Sequence, residues 1–325
     1  MFQRQKEIET DSMDSSLEEP GRWDDFEVWM DDSQGYDPKT TKMYLSKIKA
    51  FAKWFNQKEI EFTGPESITA GIVRDYRSYL AIIDQKMPAT INKYLQVIRI
   101  YCRWAIEEGL IKNNQALRVQ YIEEPLIAPK SLSEDFVDVL RSVIKTKGLK
   151  KQALIEIGLG SGLRISEVTN LKISDLKLRK RGGEIYVRVG KGFKFRTVPI
   201  APDLVMILKE YIASRTDNSE YVFVSETNHT KMSTRAVQKM VERLRDDIGF
   251  YFTYHTLRHT FCSDLLTSGM ELTDVALLAG HLKKNGMPNI STTARYVLSR
   301  QDQLAKGVRK MARWRNKRIQ TPEDV

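Results

Sequence analysis

From residue 23 to residue 109 the apolar positions recur at intervals of three and four, the period of a helix with one buried face. Trp23, Phe26, Trp29 and Met30 predict a first helix, with Gly35 and Pro38 as its stop. Thr40 or Thr41 is placed to cap a second, whose Tyr44, Ile48, Phe51, Ala52 and Phe55 form one stripe. A third spans 70–83 and turns Val73, Tyr76 and Leu80 inward. A fourth follows Pro88 through Ile91, Leu95, Ile98, Tyr101 and Trp104 to a stop at Gly109. The pattern predicts a helical domain over 22–120, with Lys42, Lys47, Lys49, Arg74, Arg77, Lys93 and Arg99 on its surface.

The period then breaks. Residues 121–131 hold two prolines and no helical spacing, and read as a linker. Ser133, followed by Glu134 and Asp135, opens the next helix, over 133–147, and another follows over 150–160. Three alternating runs, 171–178, 184–189 and 194–200, predict strands joined by turns at Arg181-Gly182-Gly183 and Gly190-Lys191-Gly192. Helical spacing returns over 202–214, 233–248, 256–268, 272–280, 289–298 and 301–315. The predicted fold class is mainly α with a small antiparallel β-sheet: an all-helical N-terminal domain, an α+β domain over 132–300, and a C-terminal helix and tail over 301–325.

Charge changes the picture more than composition does. At 41% hydrophobic and 29% charged, the 325 residues have the balance of ordinary globular domains. No uncharged apolar run approaches the roughly 18 residues of a membrane span. The N-terminus lacks a secretory core, and two cysteines, Cys102 and Cys262, make no disulfide framework. These features predict a cytoplasmic, reduced protein. Residues 1–34 carry eleven acidic and three basic side chains, and 1–21 read as a disordered acidic lead. With a total of +10, the remaining chain therefore holds +18, which points to a polyanionic partner.

Several residues stand out one by one. Arg164 lies in SGLRISEVTNL, too apolar a setting for a free surface arginine, with Glu167 three residues on. Lys191 sits at a predicted hairpin tip. His255 and Arg258, in YHTLRHTF, share a helix face. His281 follows LLAG at a helix end, and Tyr296 closes ISTTARY. Each alone has a plain structural explanation: a buried ion pair, a solvated lysine, a satisfied histidine, a core aromatic.

In order they form the series Arg, Lys, His-x-x-Arg, His, Tyr, and in these contexts the chain resembles the tyrosine recombinase (phage integrase) family, above all its Xer-like and transposon-borne members. The N-terminal stretches TTKMYLSKIKAFAKWF and ATINKYLQVIRIYCRWAIEEGLIKNN resemble that family's core-binding domain, so the likeness covers about residues 22–315. It implies a site-specific DNA recombinase that cuts and rejoins duplex DNA through a 3′-phosphotyrosyl bond. Tyr296 would be the nucleophile, Arg164 and Arg258 the phosphate clamp, and Lys191 the acid for the leaving 5′-oxygen. His255 and His281 would position the phosphate and move protons, and Glu167 would orient Arg164. His259, next to Arg258, is read as structural packing outside the site.

The residue types suit that chemistry. A phenol of pKa near 10 needs nearby positive charge to become a nucleophile. Two guanidinium forks match the nonbridging oxygens where charge builds up. Rejoining by a DNA hydroxyl conserves bond energy, so no cofactor and no metal is expected. The implied partners are double-stranded DNA and a homotetramer on paired sites, alone or with a second recombinase, and no membrane. Two alternatives stand beside it: a catalytically inactive DNA-binding regulator of the same fold, and a DNA-relaxing enzyme of the type IB topoisomerase kind, which shares the tyrosine chemistry. One departure stands out: the interval from His281 to Tyr296 is longer than the family's usual one, which leaves open whether Tyr296 acts in its own site or a neighbour's. The basic amphipathic segment 301–319 is expected to exchange with the next protomer.

Overall fold

In a computed structural model the described residues are 21–58, 61–125, 130–189, 194–283, 285–297, 308 and 311. Lys191, its predicted turn, the acidic lead through residue 20 and nearly all of the C-terminal segment lie outside them. The chain divides into two compact units, Met1–Pro125 and Leu126–Val325. No helix among the described residues is long and apolar enough to cross a membrane.

The first unit is built on α1 (Trp23–Val28), α2 (Pro38–Phe55), α3 (Ala70–Ile82) and α4 (Pro88–Glu107). Trp29–Ser33 prolongs α1 as a π-helical turn. Pro38 begins α2 and does not end α1. The side chain of Asp37 accepts from the Lys39 N–H, and proline suits the first helical position because its missing N–H would have no partner there. The core is strongly aromatic: Phe26 meets Tyr101 edge-on at 5.1 Å, and Trp54 packs 4.7 Å from Tyr76. The segment after α4 is tied back to it, since Asn92 both donates to the Ile122 carbonyl and accepts from the Ile122 N–H, each at 2.8 Å.

The second unit surrounds α6 (Leu149–Ser161), whose buried residues occupy most of its circumference. Helices α5 (Glu134–Lys145), α8 (Pro202–Ala213) and α10 (Tyr254–Thr267) pack against it. Strands β1 (Leu176–Arg179), β2 (Gly182–Val189) and β3 (Lys194–Ile200) form an antiparallel sheet in that order, with Leu176 opposite Ile185 and Ile185 opposite Val198. The first strand is shorter than its alternation predicts. Residues 173–175 form a 3₁₀ turn because Asp175 accepts from the Lys172 N–H at 3.0 Å, a local bond that competes with the ladder. Arg179 pairs with Gly182, so the tight turn is Lys180-Arg181 and the two glycines already belong to β2.

Short helix α7 (Ile165–Thr169) and helices α9 (Thr234–Ile248), α11 (Leu272–Ala279) and α12 (Ile290–Ala294) complete the unit. The predicted 289–298 helix is only five residues long. Its chain leaves the helix before Tyr296, whose N–H bonds to the Thr293 carbonyl at 3.0 Å in a tight turn. Phe261, Cys262, Leu266, Val275, Ala279 and Tyr296 form a small core of their own, separate from the main one.

Candidate active site

Two helix ends anchor two arginines. Helix α6 stops at Gly162, which takes a left-handed conformation (φ 59°) where a Cβ would stand 2.3 Å from the Phe261 ring. Helix α11 stops at Gly280 (φ 66°), and the His281 N–H reaches back to the Ala276 carbonyl at 2.8 Å. The carbonyls left at these ends carry the negative pole of their helices. Arg258 Nη1 donates to the Gly162 carbonyl at 2.5 Å, and its Nη2 donates to the Ala279 carbonyl. Arg164 Nη2 donates to the Gly280 carbonyl at 2.7 Å. Both guanidiniums are thus fixed by backbone that the glycines shape.

Beneath them lies Glu167. It accepts from the Arg164 backbone N–H at 2.7 Å and from Arg164 Nη1 at 2.9 Å, closing the first turn of α7. It also takes a bidentate pair from Arg196 of β3, with both contacts at 2.8 Å. Arg196 Nε donates to the Leu278 carbonyl at 2.8 Å, which ties the sheet to α11. Burial alone would raise the Glu167 carboxyl, but the bonds and charge of Arg196 and Arg164 outweigh it and hold the group at about 2. The spacing of Arg164 and Glu167 was readable in the sequence; Arg196 was not singled out. Its signal was a cation in the same register as Val198 and Ile200, on a strand face that otherwise turns to the core.

The third element is α10. Thr253 caps it by accepting from the Thr256 N–H, and His255, Arg258, His259 and Cys262 then fall on one face at helical spacing. Arg258 is 1% exposed, and burial, then Arg164, lowers it to about 10, so it stays charged at neutral pH. Its Nε has no hydrogen-bond partner among the described residues. Burial, with Arg258 and Arg164 behind it, lowers His255. Burial and the same cations push His281 down to about 3. His281 Nδ1 is bonded to the Thr293 hydroxyl at 2.9 Å, which ties it to α12.

Arg164, His255, Arg258, His281 and Tyr296 all line one cavity of about 600 Å³, together with Lys130, His259 and Arg295. Tyr296 sits in the cavity of its own chain, its ring stacked 6.2 Å from that of His281. Burial, then Cys262, raises its hydroxyl, while Arg258 and Arg164 pull the other way. Tyr254, the neighbour of His255, is buried to 4% in the main core. His259, read from sequence as packing, lines the same cavity, and its Nδ1 lies 2.7 Å from the Tyr296 hydroxyl. Helical spacing alone put it on the same face as His255, but a packing histidine would show the same spacing. The arrangement offers fixed cations, uncharged imidazoles and a phenol around a space that admits a phosphodiester.

The profile described as "Phage integrase family" matches residues 130–302, and "Phage integrase, N-terminal SAM-like domain" matches 26–111. Tyrosine recombinase XerA of Thermococcus kodakarensis is 31% identical over 291 residues, covering 88% of this chain and 94% of that protein. Tyrosine recombinase XerD of Lacticaseibacillus casei is 28% identical, covering 86% of this chain and 95% of the relative. Among solved structures, the Tn1549 transposon integrase in complex with circular intermediate DNA has a TM-score of 0.64 at 20% identity, covering 83% of this chain and 93% of that one. A lambda integrase dimer bound to a COC′ core site has a TM-score of 0.66 at 19% identity, covering 84% and 75%. These two show a shared fold.

Proposed function

The chain belongs to the phage integrase family, the tyrosine recombinases, and from that premise we propose that it cleaves and rejoins duplex DNA with Tyr296 as nucleophile in its own active site. The activity is that of a tyrosine-type site-specific recombinase. The observation that carries the residue assignment is the single cavity that gathers Tyr296, both arginines and two histidines of the series.

In this reading Arg164 and Arg258 receive the nonbridging oxygens of the scissile phosphate through the N–H groups that their anchoring bonds leave over. Preorganised donors of this kind lower a barrier by about 3 kcal/mol each. His255 and His281, kept uncharged by burial and the two cations, hydrogen-bond the phosphate without competing for its charge. Glu167 fixes Arg164. Lys191, outside the described residues, protonates the leaving 5′-oxygen. The phosphate then sits on Tyr296 as a 3′-phosphotyrosyl bond until a DNA hydroxyl displaces it. No cofactor enters the scheme. The N-terminal helical unit serves as the core-binding domain over 22–120, joined by the 121–131 linker to the catalytic domain.

The DNA-bound states of the structural neighbours, which include a lambda integrase tetramer on a Holliday junction, support duplex DNA as substrate. That tetramer supports assembly as a homotetramer on paired sites; a second recombinase, and exchange of segment 301–319 between protomers, extend the proposal beyond it. Sequencing the DNA ends of SDS-stable adducts formed with fragmented host DNA yields the cleaved junction, from which a nicked suicide duplex is made. On that duplex Tyr296→Phe binds as the parent does and forms no adduct. An SDS-stable adduct in Tyr296→Phe removes Tyr296 from its role.

A further inference from the structure

We propose that His259 is the base of this site: its Nδ1 takes the hydroxyl proton of Tyr296 as the tyrosine attacks phosphorus. The proposal rests on the reading of Tyr296 as nucleophile and adds to it a residue outside the series Arg, Lys, His-x-x-Arg, His, Tyr.

Geometry carries it. The His259 Nδ1 to Tyr296 Oη distance of 2.7 Å is that of a well-formed hydrogen bond, so Nδ1 already stands where proton transfer requires it. The neighbouring imidazoles are differently engaged. His281 has its Nδ1 on Thr293, and its ring lies parallel to that of Tyr296 at 6.2 Å, face against face. His255 packs edge-on against His259 at 4.2 Å, on the side of the phosphate cavity. Cys262 also reaches the Tyr296 hydroxyl, but burial raises its thiol, so it stays protonated and cannot accept.

Charge supplies the timing. The groups that bear on His259 are His255 and Arg258 from its own helix, and Arg164, Lys130, His281, Arg295 and Tyr296 around the cavity. Burial first, then His255 and Arg258, pushes His259 down to about 4, which keeps the imidazole uncharged at neutral pH. In the proposed step its one ring proton sits on Nε2, and Nδ1 is left to accept. A scissile phosphodiester seated on Arg164 and Arg258 brings a negative charge that offsets those cations. The basicity of His259 then rises when substrate is present, while the same cations favour the forming phenolate.

The step balances. The Tyr296 O–H bond breaks and an N–H bond forms on His259. A Tyr296 O–P bond forms as the P–O5′ bond breaks, and the 5′-oxygen takes its proton from the separate acid. On rejoining, His259 returns its proton to the departing tyrosine.

The test uses the full chain and the suicide duplex defined above, with cleavage followed under single-turnover conditions from about pH 6 to 9. His259→Ala should bind the duplex within about twofold of the parent and cleave at least about 100-fold more slowly. Added imidazole should restore its rate at least about tenfold, in proportion to the unprotonated imidazole present. His259→Asn keeps an oxygen near the place of Nδ1 but takes no proton. It should remain slow, with a rate that climbs about tenfold per pH unit where the parent profile is flat. The proposal is overturned if His259→Asn cleaves within about threefold of the parent with an unchanged profile. It is equally overturned if both variants are slow, imidazole does nothing and the profile is flat. Should His259→Ala fail to fold, the Asn variant decides alone. An adduct in Tyr296→Phe would instead sink the nucleophile assignment, so the two failures are told apart.

Discussion

The two ends of the cavity are built on different principles. At the arginine end, Arg164, Arg196 and Glu167 interlock beside the main core, with Arg196 8% and Glu167 9% exposed; the Arg164–Glu167 bonds are local to α7, and the others tie it to β3 and the end of α11. At the tyrosine end, a five-residue helix and a single turn carry Tyr296 into a satellite core of six buried residues, Tyr296 among them. A receptacle for a phosphate must hold its charges still before substrate arrives, because reorganising them during reaction would forfeit their effect on the barrier. A nucleophile that becomes joined to DNA has to travel with the strand it holds. In the proposed mechanism, therefore, the dense interlocking belongs where charge must wait and the smaller core belongs at the nucleophile.

The largest expected effect is at Glu167. Removing the carboxylate in Glu167→Ala leaves Arg196 buried without its counter-ion and should cost about 3–5 kcal/mol in denaturant unfolding of the catalytic unit. The same group sets an acid limit. Its folded value of about 2 lies below the unfolded value near 4.3, so its contribution is complete above about pH 4.5 and drains away as pH falls toward 2. That contribution is about 3 kcal/mol. Glu167→Gln should start less stable at pH 7 and lose correspondingly less across that window. A parent and a Gln variant with parallel pH–stability curves would mean that the arginine end is not welded by this carboxylate.

The same contrast governs what could be read from sequence. Arg164 with Glu167, and His255 with Arg258, are local pairs three residues apart, and a helical period suffices to see them. The mainly helical class with its small sheet was legible because the stripes and the strand alternation extend over many residues. Arg196 was hidden because its partner, 29 residues earlier, is reached only once the sheet has folded against α7. His259 was set aside for the same reason: the chain returns to it 37 residues later, at Tyr296. Tyr296 itself was placed inside a helix because ISTTARYV has helical spacing, whereas the helix ends at Ala294. Propensity could not foresee that ending, since α12 is fixed by packing on α11 and by the Thr293–His281 bond.

A smaller effect at the arginine end is expected from Gly280→Ala. A Cβ there meets a left-handed backbone (φ 66°) and would lie 2.7 Å from Arg196 Nη1, whose guanidinium is held by Glu167 and the Leu278 carbonyl and has little freedom to move. The loss should be about 1–3 kcal/mol by thermal or denaturant unfolding. Suicide-duplex cleavage should fall with it, because the Gly280 carbonyl that shifts is the one that Arg164 holds. Full stability in this variant would show that the α11 end can relax, and would weaken the claim of a rigid receptacle.

The smallest effect on stability, and the sharpest test of the contrast, is Thr293→Val. Thr293 is fully buried, and valine matches its shape while removing the hydroxyl that meets His281 Nδ1 at 2.9 Å. The hydroxyl also donates a long bond of 3.4 Å to the Asn289 carbonyl, and losing both with a nitrogen left unpaired costs about 1–2 kcal/mol. That is less than the arginine end loses at Glu167, because no buried charge is stranded: His281 is uncharged at neutral pH. The imidazole, however, loses the contact that fixes its ring against Tyr296. DNA binding should stay within about twofold, while cleavage slows about tenfold or more, as expected when a catalytic group is no longer held in place. Activity would then fall further than stability, the reverse of what a purely structural threonine gives. A variant that loses as much stability as Glu167→Ala would mean that the tyrosine end is welded as firmly as the arginine end, and the asymmetry between them would have to be abandoned.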